Sequence, residues 1–311
     1  MATNANDIAV ATTSQLAAAA AAEIADLGGN AVDCGIAAAM CSINTQPGVC
    51  ALAGSAFVTI WESGQKPITI DGNVSVPGAG LAMNVDTTAE SVELEYGGGV
   101  RTLVGAGSVA VPGTLAALHL ASERYGRISW SDLLRPSIRA ARDGFPLPSA
   151  CHHYLEYAGE VIYGRSADGY SALHHDDGTL RKAGTAIVVP HLAETLSVIA
   201  AEGPDVFYGG DIGQRMVTHV AENGGLLTID DLRMYGPKIR ESLMIDVGDW
   251  QIATNPPPAV GGASLAAMLH TFGTEKFGRW DEASLRRLYR TQLAVMSYRM
   301  KRLDTVDDIS G

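Results

Sequence analysis

The chain is short of basic residues. Its 311 residues hold 22 Lys and Arg against 34 Asp and Glu, a formal charge of -12. It therefore lacks the cationic excess with which proteins neutralise phosphates, which argues against nucleic acid or an anionic membrane as a partner. A small-molecule substrate is expected instead, and the acidic balance itself reads as a solubility feature. Long apolar runs are also missing, since no stretch approaches the roughly 18 residues of a membrane span. The Ala-rich residues 17–22 follow no basic region and run at once into Glu23 and Asp26, unlike a secretion signal. The expected location is cytoplasmic. No CxxC spacing occurs among Cys34, Cys41, Cys50 and Cys151; three sit in Ala-rich or apolar surroundings, and all four are read as reduced thiols. Metal-ligand spacing is lacking too: His152, His153, His174 and His175 show neither an i, i+4 pair nor a Cys/His zinc pattern, and residues 151–183 are expected to form a solvated loop without a metal.

What is present suffices for a full core. Residues are 47% hydrophobic and 18% charged, and the length allows one large or two ordinary domains. A short β-like run at 8–11 precedes Thr13 or Ser14, either of which can cap a helix ending at Gly28 and Gly29. Asn30 caps the next helix, with Asp33 as its reciprocal partner. Residues 57–61 and 68–71 read as adjacent antiparallel strands turning at Gly64. Residues 79–107 are the least regular part, expected as a surface loop with a flexible excursion at Gly97–Gly99, a substrate cover being the alternative.

Residues 109–147 predict a helical hairpin. Thr114 caps the first helix and Gly126 ends it; Ser131 caps the second, Pro136 brings a restart or kink within it and Gly144 closes it. Pro190 opens a further helix, Asp211 caps another, and Thr228 with Asp231 forms a capping box. Residues 243–247 and 250–254 predict a hairpin. The run NPPPAVGG, 255–262, is a rigid loop before a helix at 264–272, since proline cannot donate to a ladder. A last helix, 281–302, is expected to turn Leu285, Leu288, Leu293 and Met296 inward and Arg286, Arg287 and Arg290 outward.

The hairpin VAVPGTLAALHLASERYGRISWSDLLRPSIRAARDGFPL resembles the VPG, YG, W, LL, P and GF pattern of γ-glutamyltransferases and their amidohydrolase relatives. Further motifs stand in that family's order: GGNAVD from Gly28, EGPDVFYGG from Glu202, ENGGLLTIDDLRMY from Glu222 and NPPPAVGG from Asn255. The resemblance implies an α+β fold, the four-layer αββα sandwich of N-terminal nucleophile hydrolases. In it, residues 1–311 would be the large subunit, completed by a small subunit cut from the same precursor. It implies acyl transfer or amide hydrolysis without cofactor or catalytic metal, the nucleophile being the Thr expected to start the small subunit after Gly311. No catalytic residue is expected within this chain.

One substrate-binding position is implied. Where the family has an Arg that binds the α-carboxylate of a glutamyl substrate, this chain has Asn73 in IDGNVSVP, residues 70–77. Losing a bidentate guanidinium costs roughly 1.5 to 3 kcal/mol of carboxylate recognition, so a small amide other than a γ-glutamyl compound is the expected substrate; the alternative for Asn73 itself is that it only caps a turn. A genuine γ-glutamyltransferase and a non-catalytic binding homologue are the alternatives, and a dimer of heterodimers is left open. The family's glycine-rich strand entry is replaced here by ALAGSAF, residues 51–57, which alters that wall of the pocket.

Overall fold

In the computed structural model of the chain, residues 8–82, 87–273 and 279–303 are described. The elements in order are α1 (Gln15–Asp26), α2 (Ala31–Thr45), β1 (Ala56–Ile60), β2 (Ile68–Gly72), β3 (Glu90–Leu94), β4 (Val100–Val104), α3 (Thr114–Tyr125), α4 (Trp130–Asp143), β5 (Phe145–Pro146), α5 (Ser149–Ala158) and α6 (Ala167–Leu173). They continue with β6 (Ala186–Ile187), α7 (Leu192–Glu202), α8 (Asp205–Tyr208), α9 (Asp211–Glu222), α10 (Ile229–Met234), β7 (Lys238–Glu241), β8 (Leu243–Val247), β9 (Trp250–Thr254), α11 (Val260–Phe272) and α12 (Glu282–Lys301). The chain divides into a larger unit, Met1–Ala56 with Gly72–Pro237, and a smaller one, Phe57–Asp71 with Lys238–Gly311.

In the larger unit, caps decide where the helices begin. Ser14 caps α1, and Asn30 with Asp33 closes a full capping box on α2. The wholly buried Asp33 carboxylate also accepts from Arg127 N at 3.0 Å, while Asn30 Nδ2 donates to Tyr125 O at 2.6 Å. The box thus ties α2 to the turn between α3 and α4, and backbone donors compensate the buried charge. Ile24, Ile36, Met40, Leu115, Leu133, Leu134 and Leu196, all fully buried, fill the space between α1, α2, α3, α4 and α7. A second cluster joins Phe145, Leu147, Cys151, Leu155, Leu173 and Ile187.

Several expectations are corrected here. Residues 8–11 form no strand. The cap of α4 is Ser129, which accepts from Asp132 N, rather than Ser131, and α4 continues through Pro136 without a restart, with Leu133, Leu134, Pro136, Ser137 and Ala141 buried. Gly113, not Thr114, stands before α3, whose first-turn amides are met by Gly54 O and Tyr208 Oη. Gly210 precedes α9, so Asp211 acts as a first-turn acid and not as its cap. Within residues 79–107, β3 and β4 pair antiparallel from Glu90↔Val104 to Leu94↔Val100; only Leu94 and Val104 are buried, which leaves little hydrophobic signal. Residues 151–183 are largely helical, with α5 running into one π-helical turn, Gly159–Tyr163, before α6. Cys151, Leu155, Ala158 and Leu173 supply its buried face.

The smaller unit holds a three-stranded sheet, β1-β2-β7, with β2 and β7 antiparallel. Ile70 is fully buried, and Asp71 receives Arg240 Nε at 2.7 Å. The β8–β9 hairpin forms in the expected register, Val247↔Trp250 at its turn. Helix α11 starts at Val260 rather than 264, and Gly262 is needed there because a Cβ would run into Asn255 O. Helix α12 departs most from its pattern. Leu285 and Leu293 are each 52% exposed, and Arg287, expected outward, is half-buried and donates to Phe272 O at 3.2 Å. The junction expected after Gly311 lies outside the described residues.

Candidate functional site

Strand β2 releases the chain at Gly72 onto the first turn of α3. A Cβ at Gly72 would overlap Ala117 Cβ, and one at Gly113 would overlap Gly72 O and Tyr235 Oη, so both glycines are required by close backbone approach. The segment that follows, residues 73–79, is bound at almost every peptide. Tyr235 Oη donates to Asn73 O at 2.6 Å, and Val74 N donates to Ser55 Oγ at 3.3 Å. Ser75 exchanges both backbone hydrogen bonds with Val111, at 3.1 and 2.9 Å. Gly78 N and Ala79 N donate to the two oxygens of Asp231, at 2.9 and 2.8 Å.

The anchors have supports of their own. Asp231 is the third residue of the α10 capping box and accepts from Thr228 N at 2.8 Å as well. Burial would raise its carboxyl, but the donors from Gly78, Ala79 and Thr228 outweigh this and hold it below its ordinary value of 3.8. Tyr235 lies nearly parallel to Tyr208, with ring centroids 5.8 Å apart. Tyr208 Oη donates to Pro112 O at 3.0 Å and accepts from Ala116 N at 3.3 Å; burial pushes this phenol strongly upward, so it stays a neutral donor. Beside it, Thr114 Oγ1 is buried with no hydrogen-bond partner.

Asn73 heads this segment and is exposed. An Asn amide offers a neutral donor and acceptor, which suits recognition of a polar group rather than bond cleavage. The altered wall, residues 51–57, stands against the first turn of α3, where Gly54 O accepts from Gly113 N and Thr114 N at 2.9 and 3.0 Å. Sequence reasoning did not single out Tyr208, Tyr235 or the second role of Asp231. The capping-box spacing exposed Asp231's local role, whereas its bonds to Gly78 and Ala79 span about 150 positions and leave no local signal.

The histidines are not brought together. His174 is buried and stacks on Tyr170, ring centroids 3.8 Å apart, while His153 lies beside Glu156 and Tyr157. Among the described residues, no three His, Cys, Asp or Glu side chains are placed to hold a metal ion.

Comparison with known proteins bears on this arrangement. The γ-glutamyltranspeptidase family model matches residues 17–308. The chain is 35% identical over 262 residues to a glutathione hydrolase proenzyme of Pseudomonas aeruginosa, covering 84% of this chain and 45% of that protein. It is 30% identical over 283 residues to an acylase, the ACY 1 proenzyme of Pseudomonas sp. strain SE83, covering 89% and 50%. Among solved structures, a γ-glutamyltranspeptidase from Pseudomonas nitroreducens complexed with L-DON superposes with a TM-score of 0.77 at 30% identity, covering 94% of this chain and 85% of that one. The chain spans about half the length of the curated relatives it matches.

Proposed function

Because the chain belongs to the γ-glutamyltranspeptidase family, we propose that it is the large subunit of a self-processed amidohydrolase or acyltransferase that cleaves a small amide. Its fold is α+β, the large-subunit portion of the αββα sandwich of N-terminal nucleophile hydrolases. In this reading the small subunit from the same precursor begins with Thr. Its hydroxyl oxygen attacks the amide carbonyl while its own α-amine takes the hydroxyl proton. The C–N bond breaks, the leaving amine carries that proton away, and water or a second amine resolves the ester. This chain contributes the wall that receives the acyl group.

The observation that carries the substrate reading is Asn73, an uncharged side chain at the head of a segment whose backbone is already held by other groups. It supports an amide without an α-carboxylate over a γ-glutamyl compound, since a fixed charge at that position contributes most of a carboxylate clamp's affinity. The names of the relatives include acylase as well as glutathione hydrolase, so both branches remain substrate classes to test. The small subunit is the proposed occupant of the apolar surface along α12. Leu285, Tyr289, Leu293 and Met300 are 52, 64, 52 and 64% exposed there, and such a stripe favours a protein partner. We further place the protein in the cytoplasm, a reading supported by its four free cysteines.

The test is intact-mass measurement of the whole gene product together with turnover of γ-glutamyl, 4-aminobutyryl and acetyl 4-nitroanilides. Two fragments whose masses sum to the precursor plus one water, with an N-terminal Thr on the smaller one and faster turnover of an amide lacking the α-carboxylate, are expected. A single uncut chain that is nonetheless active overturns the processing step. Preferred turnover of the γ-glutamyl anilide overturns the substrate reading.

A further inference from the structure

We infer that Tyr235 is a positioning residue for the substrate: it acts through Asn73 and sets the direction in which that side chain meets the acyl group. The inference rests on the substrate-wall reading of Asn73 and adds the group that orients it. Its basis is that the C=O of Asn73 and the N–H of Val74 belong to one planar peptide unit. Tyr235 Oη holds the C=O end at 2.6 Å and Ser55 Oγ holds the N–H end at 3.3 Å. The next residue, Ser75, is bonded to Val111 through both its N–H and its C=O. With that plane pinned at each end, Ser75 fixed after it and Gly72 held before it at the end of β2 against Gly113 and Ala117, the backbone on both sides of the Asn73 Cα is fixed, and its Cα–Cβ direction is set before any ligand arrives. That preorganisation lowers the ordering cost of binding.

Tyr235 is suited to this task. It follows α10 by one residue, four positions after Asp231, so the two lie on one side of the helix and grip opposite ends of residues 73–79. Its ring is held by Tyr208, and Gly113 leaves the space its hydroxyl occupies. Tyr235→Phe keeps the ring and removes the oxygen that reaches Asn73.

The experiment compares parent, Tyr235→Phe, Ser55→Ala and a control, Ser129→Ala, which removes the cap of α4, in the full gene product. Each is assayed for KM and kcat on whichever acyl 4-nitroanilide of the panel the parent turns over fastest, and for Tm. Tyr235→Phe is expected to raise KM about fivefold, the equivalent of one hydrogen bond, with kcat within about twofold. Ser129→Ala is expected to lower Tm with KM unchanged, which is how a merely structural role would look. If Tyr235→Phe lowers Tm and leaves KM at the parent value, the inference fails. Should that variant not fold, Ser55→Ala decides, because Ser55 is exposed and holds the other end of the same peptide unit; an unchanged KM there also overturns the inference. A parent that is uncut and inactive on every anilide overturns the reading of the preceding section and this one with it, whereas a processed, active parent confines failure to Tyr235.

Discussion

At position 73 the amide of Asn carries no net charge, so in the proposed reading an acyl group gains one neutral hydrogen bond where a guanidinium would give two charge-assisted ones. Asn73→Arg is therefore expected to shift preference toward γ-glutamyl 4-nitroanilide over 4-aminobutyryl 4-nitroanilide, two amides that differ only in the carboxylate. The ratio of their kcat/KM values should rise by up to about a hundredfold. A smaller gain follows if the 51–57 wall crowds the longer side chain. An unchanged ratio in a folded, processed variant would mean that residue 73 does not face the acyl group. The thiols show the same dependence on surroundings: burial pushes Cys41 up to about 11, so it behaves as a packed apolar group rather than a nucleophile.

Helix α10 is a short element whose start and end both bind residues 73–79, and its N-terminal acid does two tasks at once. Asp231 closes the capping box and accepts from Gly78 N and Ala79 N. Asp231→Asn keeps the shape but turns one acceptor into a donor facing N–H groups, which should cost about 1 to 3 kcal/mol. The sign with pH follows from the depressed carboxyl. A carboxyl lower in the folded than in the unfolded state contributes stability that is fully present above its unfolded value and is lost as pH falls through its folded value. The gap in stability between parent and variant should hold steady from about pH 5 to 7 and narrow only below the usual carboxylate range, near 3.8. Chemical denaturation across that range reads it, and a gap independent of pH down to the acid limit would remove Asp231's charge from the account.

For the whole molecule, the surface along α12 of the smaller unit is where the proposed small subunit docks. An acidic protein with apolar side chains in sequence along α12 leaves a stripe that water solvates poorly. Leu293→Glu should leave the unit folded, since the side chain is already 52% exposed, while lowering the fraction of large subunit recovered with its small subunit. Size-exclusion chromatography of the two fragments after processing measures this. Recovery equal to the parent would mean that some other surface carries the association.

Local chemistry in the sequence determined much of this protein. The Asn30–Asp33 and Thr228–Asp231 boxes, the α1 cap narrowed to Thr13 or Ser14, the stops at Gly126 and Gly144 and the β8–β9 hairpin depend on partners at most a few residues away, and each was legible from the sequence. So was the family, because its motifs are local strings. Other features were decided only by the tertiary structure. The β3–β4 pair buries too few side chains to announce itself, and α5 and α6 look polar until Cys151, Leu155 and Leu173 meet the cluster around Phe145. Leu285 and Leu293 carry an inward pattern on α12 yet are exposed, because periodicity records which face is apolar and not what covers it. The backbone carbonyl of Asn73 is held by a hydroxyl 162 positions away. A hydrogen bond requires two groups within about 3 Å, and only the packing of α3, α8 and α10 brings those groups that close.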